Sequence, residues 1–529
     1  MYTKFKSTCS QTLEFINNIL YNNLMKTKSY KSLKSGTDIR GVAVQTESSD
    51  VTLTIDAIYD LTHAFLKWLA DKTGKSVLTV AVGHDVRISC NAIYSAIQKV
   101  FVESGCNLVY YGLMSTPAMF MLLKESNDSC DASIMITASH LPYDKNGLKF
   151  ITPAGGLTGH DLDEIIELAE NSEKLPRRLG TCNESSYIDD YCRKLVNLVR
   201  TETGKAAPLF GKRIIVDASN GVGGFFVKKV LLQLGAITDG SINLAPDGNF
   251  PAHAPNPEAP EAIKALQEAV LASKAELGII FDTDMDRAAV VDGDGKLINR
   301  DALIALVSAT ILEQKPATIV TDSVTTDGLT HFIERLGGRH VRYKRGYKNV
   351  IEEAKRINTH GGYCPLAIET SGHAAYAENY YLDDGAYLVC KIIITYCLQA
   401  QKRQKLSDLI SAYIPPKEEA EVRIKFNSLS RNFHRESERI IAELRYFIEN
   451  DNRLSECKNN HDGIRINFVE GSGGGWALIR ESVHDPVLPV NFASNEYGGV
   501  KLMAKNLFCI LEKYPFIDVS GLKSLINNR

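Results

Sequence analysis

Three aspartates in the stretch "FDTDMDR" could together hold a cation. Asp282, Asp284 and Asp286 are separated by single residues, so in an extended segment their carboxylates point the same way. At an effective dielectric constant of about 20, two unit charges about 4 Å apart interact by about 4 kcal/mol, so three converging carboxylates repel one another unless a cation lies among them. Oxygen ligands favour Mg²⁺ or Ca²⁺, and an EF-hand is excluded because Arg287 and Gly293 stand where its glycine and glutamate are required. The pattern predicts a divalent cation site, with a solvated acidic loop as the alternative.

A serine and a histidine end a second apolar run, in the stretch "SIMITASHLPYDKNGLKF". An unmodified serine hydroxyl such as that of Ser139 is a weak nucleophile, and many serines after strands are ordinary turn residues. A phosphorylated serine would instead carry a charge of about −1.5 to −2 and three acceptor oxygens, which suit a divalent cation and nearby basic groups. His140 and Lys149 could then supply proton transfer and charge stabilisation.

A third polar cluster, "ETSGH", follows the apolar run "PLAI". Glu369, Ser371 and His373 offer an acceptor, a hydroxyl and an imidazole within five residues. This set suits hydrogen bonding to the vicinal hydroxyls of a sugar, and it is equally typical of a polar turn.

Near the C-terminus, "EGSGGGWALIRESVHDP" combines a glycine-rich turn with Arg480, Ser482 and His484. It is not a dinucleotide-binding motif, because Trp476 stands where the last glycine would be, and no Gly-Lys follows as in a P-loop. Backbone amides and a bidentate arginine can form a phosphate cradle, and a plain β-hairpin is the alternative.

The elements that position these clusters follow an α/β pattern. Three short apolar runs lead directly into polar loops, "SIMI" into "TASH", "LGIIF" into "DTDMDR" and "PLAI" into "ETSGH". Because ligands of α/β sheets bind beyond the carboxyl ends of strands, we expect three similar units that each deliver one loop to a shared cleft. From about residue 416 the alternation in "EEAEVRIKF" and "GIRINFVEG" predicts half-buried strands and an α+β unit. We predict domains at 1–208, 209–298, 299–415 and 416–529.

Composition excludes several functional classes for this chain of 529 residues. The formal net charge of −3 shows no basic excess, so nucleic acid is not the expected partner. The 11 cysteines show no CxxC spacing, which argues against a zinc ribbon or a disulfide framework and favours an intracellular protein. No apolar stretch approaches the roughly 20 residues of a membrane helix, so no membrane role is expected. We predict a cytoplasmic protein. Residues 1–30 hold four lysines and one acid, so a transit peptide to a plastid or another organelle is the alternative.

Taken together, the four clusters resemble the loops of the α-D-phosphohexomutase family, in its phosphoglucomutase/phosphomannomutase branch. The likeness extends from "SGTDIRG" at 35–41 to "RESVHDP" at 480–486. "TASHLPYDKNGLKF" resembles the family's phosphoserine loop, "DTDMDR" its metal loop, "ETSGH" its sugar loop and "RESVHDP" its phosphate-binding loop. The stretches "VGHDVRIS", "GLMSTPA", "PDGNFPAHAPNPE" and "GYK" support the resemblance.

The resemblance implies a fold and a reaction. The fold is three related α/β units with mixed sheets plus a C-terminal α+β domain, all around a central cleft. The reaction interconverts hexose 1-phosphate and hexose 6-phosphate, of glucose and/or mannose, through an active-site phosphoserine and a hexose 1,6-bisphosphate intermediate. The implied cofactors are Mg²⁺ and hexose 1,6-bisphosphate as activator. The implied partner is a small sugar phosphate, and the protein would be a monomer or homodimer.

The resemblance also implies a role for each site residue. Catalytic roles fall to Ser139, His140, Lys149 and Arg40. The metal ligands would be the Ser139 phosphoryl oxygen, Asp282, Asp284 and Asp286. Substrate contacts would come from Arg287, Lys348, Glu369, Ser371 and His373. The non-reacting phosphate would be bound by Arg480, Ser482 and His484.

Two loops depart from the family pattern. Thr283 and Met285 stand between the acids of the metal loop, where the family commonly has glycine, and 483–485 reads Val-His-Asp where Gly-Thr-Glu is frequent. Substrate choice is therefore open, and a phosphoglucosamine mutase of the same family is the first alternative. A sugar phosphatase that uses Asp282 as an aspartyl-phosphate nucleophile and a non-catalytic sugar-phosphate binder are the others.

Overall fold

The computed structural model describes residues 29–427, 429–430, 432–482 and 486–527. Its strands form four sheets that follow one another along the chain. The proposed targeting segment at 1–30 lies almost wholly outside the described residues. No described helix combines the length and the apolar character that crossing a lipid bilayer requires.

The first sheet is mixed and has the order β1-β2-β6-β5-β3-β4-β8, with β7 paired to β6. Its strands are β1 (Lys34–Ser35), β2 (Asp38–Val42), β3 (Thr79–His84), β4 (Asn107–Leu113), β5 (Ala132–Ile136), β6 (Lys145–Thr152), β7 (Gly155–Gly156) and β8 (Thr181–Glu184). The helices that follow and connect them are α1 (Ile55–Thr73), α2 (Cys90–Ser104), α3 (Thr116–Glu125), α4 (Gly159–Glu170) and α5 (Ile188–Thr203). Strands β3, β4, β5 and β8 run parallel, whereas β6 is antiparallel to β5 and β2.

The second and third sheets are mixed as well. The second has the order β12-β11-β10-β9 and consists of β9 (Ile214–Asp217), β10 (Leu277–Phe281), β11 (Ala288–Asp292) and β12 (Leu297–Ile298), with helix α6 (Pro260–Ser273). The third has the order β14-β13-β15-β16-β17. It consists of β13 (Thr318–Asp322), β14 (Arg339–Tyr343), β15 (Leu366–Ile368), β16 (Ala374–Tyr376) and β17 (Leu382–Asp383), with helices α7 (Arg300–Leu312), α8 (Asp327–Arg335), α9 (Tyr347–Thr359) and α10 (Gly385–Gln401).

The fourth sheet is antiparallel at every described pairing and has the order β19-β20-β21-β22-β18-β23. Its strands are β18 (Glu418–Phe426), β19 (Leu454–Glu456), β20 (Ile464–Phe468), β21 (Gly475–Ile479), β22 (Val487–Ser494) and β23 (Ile517–Asp518). The helices of this part are α11 (Phe433–Glu449), α12 (Gly499–Leu511) and α13 (Ser520–Asn527).

The first three sheets repeat one local arrangement. Strands β5, β10 and β15 are each buried along their whole length and run parallel to a neighbouring strand on one side. Each then passes through a polar loop into an antiparallel partner, β6, β11 or β16. The predicted fold class, three α/β units with mixed sheets and a C-terminal unit of another kind, is confirmed. The domain boundaries at 208, 298 and 415 stay a prediction.

The fourth sheet docks on the third through one buried arginine and a small apolar cluster. Arg465 donates from Nη1 to the carbonyl oxygens of Ser323 at 3.1 Å and Thr325 at 3.2 Å. Its guanidinium lies 3.7 Å from the ring centre of Trp476, which packs with Val324 and two further apolar residues of the fourth sheet. The last sheet is thereby fixed beside the carboxyl end of β13.

We expect the core beneath the Ser139 loop to be sensitive to truncation. Phe65 on α1 is fully buried, and its ring centre lies 4.3 Å from that of Phe150 on β6. Phe65→Ala should lower the free energy of unfolding by about 3–5 kcal/mol, because it leaves a cavity. Urea unfolding followed by circular dichroism measures this loss.

Phe210 supplies the matched control, because its side chain is 83% exposed. Phe210→Ala should change the same free energy by less than about 0.5 kcal/mol. Equal losses in the two variants would contradict the described packing of the first unit.

Candidate active site

Ser139 lies in the loop that leaves β5, and its side chain is directed at the aspartate cluster. The residue is fully buried and its backbone is left-handed, with φ of 51°. Its Oγ donates to Oδ2 of Asp282 at 2.8 Å and lies 3.4 Å from Nδ1 of His140. The backbone N–H of Ser139 donates to Oγ1 of Thr137 at 2.9 Å, which fixes the turn. The hydroxyl is thus held beside a carboxylate and an imidazole.

A buried arginine that the sequence reasoning missed holds this loop from behind. Arg87 follows β3, pairs with Asp85 at 3.2 Å and lies 5.2 Å from the ring centre of Phe250. Its guanidinium donates to four carbonyl oxygens of the loop, those of Ser139 at 2.5 Å, Leu141 at 2.6 Å, Pro142 at 2.6 Å and Lys145 at 2.9 Å. The sequence feature that could have identified Arg87 is the Asp-x-Arg that follows an apolar strand, because an acid and a base at that spacing can be buried as a pair.

The three aspartates meet after β10, as their spacing predicts. All are buried, and one carboxylate oxygen from each lies within 4.8 Å of the others. The Oδ1 atoms of Asp284 and Asp286 have no hydrogen-bond partner in the described part of the chain. Burial, and then the charges of Asp286 and Asp284, raise the pKa of Asp282 well above its ordinary value. Buried carboxylates with unsatisfied oxygens are the donor set of a hard divalent cation, so these residues fit Mg²⁺.

Lys149 and Thr116 bring the first unit against this cluster. Nζ of Lys149 donates to Asp286 and lies 3.5 Å from Asp284, while the hydroxyl of Thr116 donates to Asp284. Burial acts to lower the pKa of Lys149, but the charges of Asp286 and Asp284 outweigh it and hold that pKa well above its ordinary value. Lys149 is therefore a cation in this arrangement. The sequence reasoning missed Thr116.

Arg287 connects the aspartate cluster to the sugar loop. Its backbone N–H donates to Oδ1 of Asp282 at 3.3 Å, and its Nε donates to Nε2 of His373 at 2.9 Å. Because Nε2 of His373 accepts, the proton of the neutral ring lies on Nδ1. Burial and then the charge of Arg287 lower the pKa of His373 well below its ordinary value. The pKa of His140 is also well below its ordinary value, first because of the charge of Arg287 and then because of burial.

Arg40 completes the basic groups of the first unit. It lies on β2 and pairs with Asp38 at 2.8 Å. Burial opposes its charge, yet the charge of Asp38 raises the pKa of Arg40 above its ordinary value. The charges of Asp284 and Asp286 also raise the pKa of Arg40, so this arginine lies in the electrostatic field of the aspartate cluster.

The sugar loop follows β15 and is anchored at both ends. Glu369 accepts at Oε1 from the backbone N–H of Gly346 at 2.7 Å, and Thr370 donates to Asp322 at 2.8 Å. Burial and then the charge of Asp322 raise the pKa of Glu369 to about 7. Ser371 is buried beside it. The loop therefore holds a carboxyl group that titrates near neutrality next to a hydroxyl and an imidazole.

Lys348 occupies a different place from the other predicted substrate residues. Its Nζ donates to the carbonyl oxygen of Gly156 at 2.9 Å and lies 3.5 Å from Glu352. It lines a cavity between the first and third units, and Lys149 and Asp286 line the same cavity. The substrate contact predicted for Lys348 stays a prediction.

The last loop places a buried arginine at the end of β21. Arg480 is 5% exposed, and its Nε lies 4.0 Å from Oδ2 of Asp462 without a hydrogen bond. The backbone N–H of Ser482 donates to the carbonyl oxygen of Val487 at 3.1 Å. His484 lies outside the described residues.

Contacts across the units join the four predicted loops into one region. Ser139 contacts Asp282, Lys149 contacts Asp286, and Arg287 contacts His373. Glu369 accepts a hydrogen bond from the backbone of Gly346. The backbone N–H of the preceding residue, Arg345, donates to Asp462, which also lies beside Arg480. The arrangement combines a buried serine hydroxyl, an acid cluster that fits a divalent cation, neutral imidazoles and a separate arginine, which are the kinds of group that handle phosphoryl chemistry.

Comparison with protein families gives three matches in chain order. The models of the phosphoglucomutase/phosphomannomutase α/β/α domains I, II and III match residues 32–176, 189–295 and 299–416. A phosphoglucomutase of Neisseria gonorrhoeae is 28% identical over 484 residues, which are 91% of this chain and 96% of that protein. A phosphomannomutase/phosphoglucomutase of Pseudomonas aeruginosa is 27% identical over 480 residues, 89% of this chain and 94% of that one.

Solved structures share the fold over most of the chain. A phosphoglucomutase/phosphomannomutase family protein of Burkholderia thailandensis superimposes with a TM-score of 0.73 at 23% identity, covering 92% of this chain and 99% of that chain. An N-acetylphosphoglucosamine mutase of Aspergillus fumigatus, in complex with GlcNAc-6P and magnesium, gives 0.54 at 11% identity, covering 92% and 96%. Since all three family domains match in order and account for most of the chain, the protein belongs to the α-D-phosphohexomutase family and is an isomerase of its phosphoglucomutase/phosphomannomutase branch.

Proposed function

We propose that the protein interconverts the 1-phosphate and the 6-phosphate of a hexose, glucose and/or mannose, through a phosphoserine at Ser139. The observation that carries this proposal is the hydrogen bond of 2.8 Å from the Ser139 hydroxyl to Asp282, inside a cluster of acids that fits a divalent cation. The names of the relatives, phosphoglucomutase and phosphomannomutase/phosphoglucomutase, support the choice of sugars.

The proposed reaction consists of two successive phosphoryl transfers. In the first, the bond between phosphorus and the Ser139 oxygen breaks, and phosphorus bonds to the free hydroxyl oxygen of the hexose monophosphate. The hydroxyl proton passes to a neutral imidazole, for which His140, 3.4 Å from Ser139 Oγ, is the nearest candidate, and the imidazolium protonates the departing serine oxygen. In the second transfer the hexose 1,6-bisphosphate, turned end for end, returns its other phosphoryl group to Ser139, and the proton returns to the product hydroxyl.

The remaining residues bind, orient and balance charge. When bound by the three aspartates and the phosphoserine oxygen, Mg²⁺ would neutralise charge on the transferring phosphoryl group. Lys149 and Arg40 supply permanent positive charge on the same side. Glu369, Ser371 and His373 read the sugar hydroxyls, with Arg287 holding His373. Arg480, Ser482 and His484 bind the phosphate that does not react.

The geometry disfavours a phosphatase with an aspartyl nucleophile. The pKa of Asp282 is raised by burial and by its two acidic neighbours, and its Oδ2 already accepts from Ser139. Its other oxygen, Oδ1, accepts from the backbone N–H of Arg287 at 3.3 Å, so both carboxylate oxygens are already engaged within the protein. Glucosamine phosphate remains the first alternative substrate, because nothing described in the sugar loop discriminates among substituents at C2.

For the proposed reaction, the first prediction tests the nucleophile. Ser139→Ala should lower mutase activity roughly a thousandfold or more, because the variant lacks the hydroxyl that carries the phosphoryl group in the proposed reaction. Activity is measured with glucose 1-phosphate, mannose 1-phosphate and glucosamine 1-phosphate, in Mg²⁺ and a trace of the matching bisphosphate. Ser95→Ala, at an exposed position on α2, is the control and should retain full activity. Release of inorganic phosphate alone by the wild type, or an active Ser139→Ala, would overturn the proposal.

A second prediction concerns the support of the serine loop. Arg87→Lys keeps the charge but cannot reach four carbonyl oxygens, so the Ser139 backbone should shift and kcat should fall roughly a hundredfold. The dissociation constant of the hexose phosphate, measured by calorimetry, should change much less. Arg193→Lys, whose side chain is 64% exposed on α5, is the control and should leave both quantities unchanged. A kcat near the wild-type value in Arg87→Lys would show that these contacts do not position Ser139.

A third prediction follows from the pKa of Glu369. Because that pKa is raised to about 7, the carboxyl group is mostly neutral at pH 6 and ionised at pH 8. An ionised carboxylate is the stronger acceptor for sugar hydroxyls, so KM should fall several-fold as pH rises over this range.

The control for this pH dependence is Glu369→Gln, which cannot ionise. Dividing the KM of the variant by that of the wild type at each pH removes the titration of the substrate phosphate. This ratio should rise with pH. A ratio that stays constant from pH 6 to pH 8 would mean that Glu369 does not titrate at the sugar site.

A further inference from the structure

Two arginines from different units meet where the third and fourth sheets adjoin. Arg345 lies in the turn between β14 and α9, and Arg480 follows β21. The backbone N–H of Arg345 donates to Oδ2 of Asp462 at 3.3 Å, and the same oxygen lies 4.0 Å from Nε of Arg480. Ser323 donates to that oxygen as well, at 2.6 Å. One carboxylate group thus ties both arginine-bearing segments to the end of β13.

The acidic neighbours of the two guanidinium groups do not accept hydrogen bonds from all of their N–H donors. Within the described residues, the ion pair of the Arg345 side chain is with Asp322, at 3.8 Å between Nε and Oδ2. Nε of Arg480 has no hydrogen-bond partner there, although the residue is 95% buried. A buried, charged donor without a partner costs free energy unless a ligand satisfies it. This unsatisfied donor points to an anion.

The two positive charges also act on each other. After burial, the charge of Arg345 is the largest cause that lowers the pKa of Arg480 below its ordinary value. The charge of Asp462, followed by those of Glu421 and Asp322, opposes this effect, and the last two also act on Arg345. Since the two guanidinium groups feel the same acids and each other, they occupy one region. Like charges held together in a partly buried region favour binding of a doubly charged anion.

The turn that carries Arg345 also contacts the sugar loop. The next residue, Gly346, donates its backbone N–H to Oε1 of Glu369 at 2.7 Å. Arg345 therefore lies between the group that would read sugar hydroxyls and the arginine that would bind phosphate. A hexose monophosphate seated on Glu369 would bring its far phosphate to this place.

We propose that Arg345 is a second phosphate-binding residue, which holds the non-reacting phosphate of the substrate together with Arg480. The inference rests on the proposed function, and it adds a residue from the third unit to a phosphate site assigned above to the fourth unit alone. Each guanidinium presents a planar fork of N–H donors that matches phosphate oxygens. A phosphate monoester with two negative charges is the ligand chemistry that balances the pair.

The test compares Arg345→Gln with Arg339→Gln, an exposed arginine on β14 that serves as the matched control. Because the non-reacting phosphate is bound in the ground state and the transition state alike, Arg345→Gln should raise KM roughly tenfold or more and change kcat little. The dissociation constants of inorganic phosphate and of glucose 1-phosphate, measured by calorimetry in a Ser139→Ala background, should rise by a similar factor. Arg339→Gln should change neither quantity.

A charge-retaining variant separates binding from structural support. Arg345→Lys should lie between the wild type and Arg345→Gln in phosphate affinity, with the same melting temperature as the wild type. Affinities within twofold of the wild type in Arg345→Gln would overturn the inference, as would a loss of affinity that merely follows a loss of folded protein in both variants. If the wild type itself shows no mutase activity, the proposed function fails, while the phosphate affinities still decide the role of Arg345.

Discussion

The repulsion among three buried carboxylates is the constraint on which the rest of the site depends. One carboxylate oxygen each of Asp282, Asp284 and Asp286 lies within 4.8 Å of the others, and all three residues are buried away from water. Each is therefore held by a contact from another segment: the hydroxyl of Ser139, the hydroxyl of Thr116 and the ammonium of Lys149. All three partners come from the first unit, so the need to balance this charge also fixes how the first and second units pack.

In the proposed reaction, the two ends of the site have opposite tasks. At the reacting end, acids and a cation site surround the nucleophile, which suits the handling of charge that moves during phosphoryl transfer. At the far end, arginines near the junction of the third and fourth sheets suit a phosphate that only needs to be held. The sugar loop lies between them, since His373 contacts Arg287 and Glu369 contacts the turn of Arg345. In the proposed reaction, a substrate with phosphate at either end would then present its free hydroxyl to the same serine.

Local pattern predicted the fold and the convergence of the loops, but not the residues that support them. Buried strands followed by polar clusters indicated three α/β units, and the spacing of the acids indicated a cation site. Arg87 and Thr116 were missed, because their partners lie 52 and 168 positions away and leave no periodic signal. In "KRGYK" the family resemblance, and no pattern in the residues themselves, selected Lys348, which contacts Gly156. Nothing in the spacing indicated Arg345, which lies beside Asp462.

The departure at Met285 in the metal loop is explained by the burial of its side chain. Met285 adopts a left-handed backbone, with φ of 64°, at a position between acids where the family commonly has glycine. This conformation costs a residue with a side chain about 1–2 kcal/mol. The side chain of Met285 is fully buried in the core that the first three sheets share, and such burial contributes about 1.5–3 kcal/mol. The gain therefore matches or exceeds the strain, so the loop keeps the turn that brings its three carboxylates together without the glycine.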